Sequence, residues 1–187
     1  MSVLDNTILF VKQQLENAEG GHDWFHIERV YKNALLFARE EECNLTARNF
    51  LEKENVAEET IQHVVNIIEN ISFKGGNFEK KFNSIELEIV QDADRLDAIG
   101  AIGIARCFNY GGFKNRALFN PAIAPKMNMT KDEYKNSDSP TINHFYEKLL
   151  LLKDKMNTET GKKIALERHK YMENFLSQFY AEWEGEK

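Results

Sequence analysis

Apolar residues recur every three to four positions along most of this chain, which is the pattern of amphipathic α-helices. The first such stretch runs from Val3 to Ala18 and stops at two consecutive glycines. Asp23 is placed to cap a second helix, and Thr46 precedes a short helical stretch over 47–54. A further helix is predicted from Glu58 to Ile71. The first half of the chain is therefore expected to be helical throughout.

The second half continues the same pattern after a turn-rich segment. Ser84 is expected to cap a long helix that runs to about Phe108. Residues 114–140 are polar, hold all three prolines and have no sustained period, which predicts a functional loop or a lid. Two helices, Thr141 to about Lys155 and Thr158 or Thr160 to about Trp183, follow. With no repeat and no evident long strand, the pattern predicts one all-α domain over residues 1–187.

Composition and charge fit an ordinary soluble protein and exclude few functions. The chain is 42% apolar and 29% charged. A net charge of −6 argues against a general nucleic-acid binder, whose surface would be basic. The longest aliphatic run, Leu149 to Leu152, is far too short to span a membrane. Two cysteines outside any C-x-x-C pair give no disulfide framework, so a cytoplasmic location is expected, while the oligomeric state is not predicted.

Two positions stand out as candidates for a metal site. His26 lies four residues after His22 at the start of the predicted second helix, so both imidazoles share a face and can reach one ion. Asp94 falls between apolar residues on the predicted inner face of its helix, where a carboxylate needs a cation or a metal. Alternatively, His26 is a histidine of the apolar core, and Asp94 is a carboxylate paired with an arginine. Asp92 is expected to point away from Asp94 into solvent.

Charged residues close to these candidates have the chemistry to contact a phosphate group. Arg29 and Arg95 carry guanidinium groups, which hold phosphate oxygens in pairs but equally well orient neighbouring carboxylates. Asp97 lies one turn after Asp94 and is a candidate general base. Lys148 is one of several scattered cations. The sequence contains neither G-x-x-x-x-G-K-[ST] nor G-x-G-x-x-G, which excludes nucleotide binding by those loops.

Two segments of the chain together resemble the HD-domain metal-dependent phosphohydrolases. The segment HDWFHIERV, residues 22–30, looks like the opening motif of that family. The segment DADRLDAIGAIGIAR, residues 92–106, looks like its closing acidic motif. The stretch from His144 to Asp154 is similar to a bacterial subgroup of about this length, so the resemblance covers nearly the whole chain.

The resemblance implies an all-α fold with a divalent metal held by a histidine, an adjacent His-Asp pair and a distal aspartate. By motif position, His26 is the first ligand and Asp94 the last. Manganese is the expected ion, with iron, nickel, zinc or magnesium as alternatives. The implied chemistry is attack of a metal-bound water on a nucleotide or related phosphate ester, including diphosphohydrolysis of a nucleoside triphosphate. The residues expected to assist catalysis are Asp97 and Arg95, and those expected to contact the substrate are Arg29 and Lys148.

The chain departs from the family at the His-Asp pair, which should lie in a helix of its own. The only His-Asp dipeptide is His22-Asp23, which belongs to the opening motif. We infer that about 20–30 residues, roughly a helix and a loop, are missing near residues 46–47.

Two explanations of this gap stay open. In the first, the protein contains residues that the printed sequence omits; in the second, the loss is real. Loss of a core helix would expose a large apolar area, which favours the first explanation. A real loss would instead leave a degenerate HD-like helical module that binds a nucleotide or a protein partner without hydrolysis.

Overall fold

The computed structural model describes residues 2–15, 24–41, 48–70, 82–127 and 137–187, together with positions 129 and 133. Over these ranges the chain is helical and contains no β-strand, which confirms the predicted all-α class. The chain forms two compact units, residues 1–93 and residues 94–187. That the whole chain acts as a single domain stays a prediction. None of the helices in the described ranges is both long and apolar enough to cross a bilayer.

The described part of the first unit contains four helices and most of a fifth. They are α1 (Val3–Gln14), α2 (Trp24–Glu41), α3 (Arg48–Lys53), α4 (Glu58–Asn70) and α5 (Ile85–Asp97). Ser2 caps α1 by accepting a hydrogen bond from the Asp5 amide, and the Asp5 carboxylate accepts one from the Ser2 amide in return. The glycines at 20–21 and the inferred junction at 46–47 lie outside the described residues.

An apolar cluster lies in the described part of the first unit. Its buried members come from α3 and α4, which pack against each other, and partly buried valines flank them. The members are Leu51, Ile61 and Val64, with Val3 and Val56 against them. Helix α1 therefore contributes a single valine to this cluster.

The second unit contains the last turn of α5 and four further described elements. They are α6 (Gly100–Phe113), α7 (Asn143–Glu147), a 3-10 helix (Leu149–Lys155) and α8 (Glu159–Trp183). Thr158 caps α8 by accepting a hydrogen bond from the Gly161 amide at 3.0 Å, at the predicted start of this helix. Both α6 and the 3-10 helix pack against α8. Residues 114–127 form turns, and their predicted role as a lid stays a prediction.

The long helix predicted over residues 84–108 is wrong as a single element. Helix α5 ends at Asp97, the chain turns through Ala98 and Ile99, and α6 begins at Gly100. Gly100 has a φ of +73°, a conformation that costs little only for glycine. A Cβ at Gly103 would lie 2.2 Å from the carbonyl oxygen of Ala98. The break therefore depends on two glycines within an otherwise helical pattern.

Aromatic rings form much of the interior of the second unit. Phe145 is fully buried and stacks on Phe175 with their ring centroids 5.8 Å apart and an interplanar angle of 13°. Phe108 contacts both of these rings, at 6.1 Å and 5.9 Å. Phe179 extends the series towards Trp183 near the end of α8. Because aromatic pairs bury large areas in defined geometries, they fix α6, α7 and α8 against one another.

Candidate functional site

The opening motif lies on α2, where His26 is withdrawn from water. Its exposed fraction is 7%, and it is the one buried side chain among those described in this helix, residues 24–34. Arg29, three residues later, is partly buried and lies on the same side of the helix. His22 and Asp23 lie outside the described residues. A metal ligand and a core histidine would both be withdrawn in this way, so burial alone leaves the role of His26 a prediction.

The acidic motif on α5 faces the opposite way from the prediction. Asp92 is completely buried, with 0% exposed, whereas Asp94 is exposed. The expectations that Asp94 lies on the inner face and Asp92 in solvent are therefore wrong. The buried face of α5 follows Ile89, Ala93 and Leu96, which are spaced four and three residues apart, and Asp92 adjoins it. The same spacing is visible in the sequence and would have placed both carboxylates correctly.

Asp97 and Arg106 form a buried ion pair next to the break between α5 and α6. The Arg106 Nη1 atom donates to the Asp97 carboxylate at 2.7 Å and to its backbone carbonyl at 3.1 Å. In a continuous helix, residues nine apart would be separated by about 13.5 Å along the axis and half a turn around it. The break therefore makes the pair possible. Asp97 is only 1% exposed, so this contact supports a positioning role, and its catalytic role stays a prediction.

Two other arginines connect the end of α5 to neighbouring elements through backbone carbonyls. Arg95 donates through Nη1 to the carbonyl of Lys155, at the end of the 3-10 helix. Arg168 of α8 donates through Nη1 to the carbonyl of Leu96. Arg95 thus has a structural contact, and its predicted part in catalysis stays a prediction.

Lys148, one of the two predicted substrate contacts, is partly buried and lies near other charged side chains. Burial lowers the pKa of its ammonium group, the carboxylate of Asp94 opposes this change, and Arg106 adds to it. Asp94 and Lys148, separated by 54 positions in the numbering of the chain, are therefore close enough to interact. In the described part of the second unit, these two predicted site residues are brought together.

His144 lies one helical turn before Lys148 and was not selected by sequence reasoning. Burial, together with the positive charges of Lys148 and Arg116, lowers the pKa of its imidazole to about 3. The ring is therefore neutral at pH 7. The four-residue spacing of His144 and Lys148 is a sequence signal that could have linked them.

Cys107 on α6 belongs to the same neighbourhood. Burial raises the pKa of its thiol to about 12, against the opposing charges of Arg116 and Lys148. Its sulfur donates a weak hydrogen bond to the carbonyl of Thr141 at 3.6 Å. A thiol with this pKa stays protonated at neutral pH and does not act as a nucleophile.

The metal donors that can be described do not form the four-ligand site implied by the resemblance. Within the described ranges, no three side chains of His, Cys, Asp or Glu are grouped so that they could hold a metal ion. The sequence lacks a second His-Asp pair, and His22 and Asp23 lie outside the described residues. The described residues therefore give an incomplete ligand set, and the metal centre stays a prediction.

Comparison with solved structures places this fold in a family. An HD-superfamily hydrolase from Bacillus thuringiensis is 41% identical to this chain, with a TM-score of 0.74. The match covers 97% of this chain and 96% of that protein. The chain belongs to the HD superfamily of hydrolases.

Two further relatives of this superfamily member span almost its whole length. A protein from Lactobacillus plantarum is 35% identical, with a TM-score of 0.84, and the match covers 98% of this chain and 97% of that one. Bacillus subtilis YpgQ, in its crystal structure with ADP, is 30% identical with a TM-score of 0.72, covering 95% of this chain and 96% of YpgQ. No family model matches the chain.

The sequence match to YpgQ is longer than this HD-superfamily chain itself. The match is 33% identical over 196 positions and takes in 90% of this chain and 88% of YpgQ. Because it is longer than the part of this chain that it takes in, it must include positions at which this chain has no residue. Since 90% of 187 residues is about 168, there are about 28 such positions. This number is of the size inferred for the missing helix and loop.

Proposed function

We propose that this HD-superfamily protein is a phosphohydrolase that acts on a nucleotide, with nucleoside triphosphates as the first candidate substrates. Membership of the superfamily supports hydrolysis. YpgQ, similar over 95% of this chain, has been crystallised with ADP, which supports a nucleotide as the ligand here. The reaction would cleave a phosphoanhydride bond and release a diphosphate or a phosphate group.

The observation that carries this proposal is the pairing of Asp94 with Lys148. The carboxylate of the closing acidic motif lies within electrostatic reach of an ammonium group that burial has partly removed from water. A cation in such a place holds phosphoryl oxygens more strongly than one in open solvent. Arg29 is proposed as a second phosphate contact because it follows His26 by one turn of α2.

The roles of the other predicted residues rest on motif position. His26 and Asp94 remain the proposed donors to a divalent ion, manganese first, although the described donor groups add no support. Arg95 and Asp97 are proposed to act indirectly, because each is already held by a contact within the fold. We derive no catalytic step through the metal.

The alternative function is nucleotide or partner binding without hydrolysis. It is favoured by the lack of a second His-Asp pair and by the roughly 28 positions of the YpgQ match that have no counterpart here. If those residues are truly absent, the protein would bind a nucleotide and leave it intact.

The first experiment measures turnover of nucleoside triphosphates by the full chain with manganese, with phosphate and diphosphate release as the readouts. We expect His26→Ala and Asp94→Ala to abolish turnover while the helical circular-dichroism signal persists. Asp154→Ala is the matched control for Asp94, because Asp154 is also an exposed aspartate of the second unit. Undiminished turnover in His26→Ala and Asp94→Ala would refute the proposed donors.

The intact mass of the same sample separates the two functions. A mass of 21.7 kDa with no turnover of any nucleotide would favour the binding module. A mass a few kilodaltons higher, with turnover, would mean that the protein contains the helix carrying the His-Asp pair.

A further inference from the structure

We propose that Tyr110 and Arg116, whose side chains lie against each other in the second unit, bind the base of a nucleotide by stacking and favour purines. The pair is called here the stacking platform. This inference rests on the proposed function, which supplies the nucleotide, and adds to it the groups that recognise the base.

A complete helix-ending motif at the end of α6 turns the chain so that Arg116 stays next to this helix. Asn115 has a φ of +52°, the left-handed conformation in which many helices end. Its amide donates to the carbonyl of Gly112 at 3.0 Å, and the Arg116 amide donates to the carbonyl of Gly111 at 2.9 Å. These are the two hydrogen bonds of a Schellman motif. Arg116 is therefore held against the last turn of α6 rather than carried away from it.

The guanidinium group of Arg116 lies over the ring of Tyr110. The Arg116 Cζ atom is 5.6 Å from the ring centroid, which is within the range of a cation–π contact. The Arg116 Nη2 atom also donates to the carbonyl of Ser137, and this second contact restricts the guanidinium plane. Tyr110 is 37% exposed, and Arg116 is partly exposed. Two planar groups are thus held together where a ligand can reach them from solvent.

Nucleobases stack on planar groups of these two kinds. Aromatic rings and the planes of arginine guanidinium groups both serve as stacking surfaces for bases in proteins. Stacking depends on the area of the ring system and does not read the hydrogen-bonding edge of the base. Purines, which are larger, should therefore bind more tightly than pyrimidines. The stacking platform predicts selectivity for the size of the base rather than for its identity.

Phe113 and Lys114 extend the exposed surface beside the stacking platform. They follow Tyr110 by three and four residues, so all three lie on one side of α6. The Lys114 ammonium is 5.6 Å from the centroid of the Tyr110 ring and 5.1 Å from that of the Phe113 ring. Phe113 is 65% exposed, so a bound base that covered part of its ring would bury apolar area. Apolar area and positive charge together match an aromatic ligand that carries phosphates.

Thr141 connects the stacking platform with the segment that carries Lys148, the proposed phosphate contact. The Thr141 amide donates to the carbonyl of Ala117 at 2.9 Å, directly after Arg116. A Cβ at Gly111 would lie 2.2 Å from the Thr141 Oγ1 atom, so the glycine permits this close approach to α6. Lys148 follows Thr141 by seven residues, which in a helical conformation span roughly 10 Å. A nucleoside triphosphate is longer than this from its base to its last phosphate, so one molecule can contact both places.

The test is calorimetric titration of the full chain with ATP, CTP and inorganic tripolyphosphate, in EDTA so that neither a metal nor turnover contributes. We expect ATP to bind more tightly than CTP. Tyr110→Ala should weaken ATP binding about tenfold or more and leave tripolyphosphate binding unchanged, because it removes the ring beneath the guanidinium group. Tyr171→Ala, which removes an exposed tyrosine of α8, is the matched control and should bind ATP as the wild type does.

Two conservative variants separate stacking from charge and from misfolding. Tyr110→Phe keeps the ring and should bind ATP as the wild type does. Arg116→Lys keeps the charge but loses the plane, so it should weaken ATP binding more than tripolyphosphate binding. Thermal unfolding of each variant checks that it is folded at the temperature of the titration.

Photolabelling with 2-azido-ATP locates the base directly. Trypsin cleaves after Arg106 and Lys114, which releases residues 107–114 as a peptide that contains Tyr110 and Phe113. We expect the label on this peptide or on residues 115–116 that follow it, and unlabelled ATP should compete for labelling more strongly than CTP does. A label confined to other parts of the chain would overturn the stacking platform.

The outcomes distinguish this inference from the proposed function. Absence of ATP binding in EDTA, unchanged ATP binding by folded Tyr110→Ala, or equal weakening of ATP and tripolyphosphate by that variant would overturn the stacking platform, even if the protein hydrolyses nucleotides. Selective weakening of ATP binding, without turnover under any metal, would support the stacking platform and refute the hydrolase.

Discussion

The two units of this protein bury their apolar residues in different ways. In the first unit, α1 has no buried side chain among those described, and α2 has only His26. In the second unit, α8 buries five residues along its length and faces a series of stacked aromatic rings. Among the described residues, the comparison predicts that truncating the stacked aromatic core of the second unit costs more stability than truncating the aliphatic cluster of the first.

The largest expected effect comes from truncating one core residue in each unit. Phe145→Ala should destabilise the second unit by about 3–5 kcal/mol, because it removes a fully buried stacked ring. Leu51→Ala should cost less, about 2–3 kcal/mol, because it removes a smaller buried side chain than Phe145→Ala does. Urea unfolding measures both changes.

The two tryptophans allow each unit to be followed separately. Trp24 lies in the first unit and Trp183 in the second, so replacing either by phenylalanine leaves a reporter for one unit. If Leu51→Ala destabilised the protein as much as Phe145→Ala does, the predicted difference between the two units would be wrong.

A pair of glycines on α6 tests how tightly the second unit is packed. A Cβ at Gly103 would meet the Ala98 carbonyl, so Gly103→Ala should destabilise by about 1–3 kcal/mol or more. Gly112 is the matched control, since its Cβ would have nothing within 4 Å, and Gly112→Ala should be neutral or stabilising by up to about 0.5 kcal/mol. Equal thermal unfolding midpoints for the two variants would contradict the close approach at the break.

Taken per unit of pH, the smallest expected effect is a pH dependence that arises in the second unit. Because the pKa of His144 falls from 6.5 to about 3 on folding, the unfolded chain binds a proton that the folded chain does not. The free energy of unfolding should therefore decrease as pH falls from 6.5 towards 3, by at most about 1.4 kcal/mol per pH unit from this group. His144→Gln should flatten that part of the profile, measured by urea unfolding at a series of pH values. An unchanged slope would show that His144 does not contribute.

The helices of this chain could be predicted well from its sequence because their apolar periods are strong. The starts of α1, α4 and α8 lie within a residue of the predicted starts, which were Val3, Glu58 and either Thr158 or Thr160. The break at Gly100 could not be seen in the period, because apolar residues continue at helical spacing through it. Only a backbone conformation with positive φ and a close carbonyl contact reveal it.

The candidate site was harder to predict, because its members meet only after the chain folds. Motif position selected Asp94, Lys148 was named from several scattered cations, and the structure places these two within electrostatic reach. The partner of Asp97 and the contribution of Arg116 depended on the break after α5 and on the loop after α6. The metal donors stay a prediction, since the His-Asp pair is not in the sequence.

Two arginines from other helices contact the end of α5, which has a consequence for the order in which the protein folds during synthesis. The last carbonyls of that helix, at Leu96 and Asp97, accept hydrogen bonds from Arg168 and Arg106, and the Leu96 carbonyl also accepts one from the Ile99 amide at 3.3 Å. Arg168 lies 72 residues beyond Leu96, so during synthesis its contact with the end of α5 forms only when almost the whole chain has been made. A ribosome-bound protein truncated before α8 would therefore carry its acidic motif on a helix that lacks the Arg168 contact at its last turn.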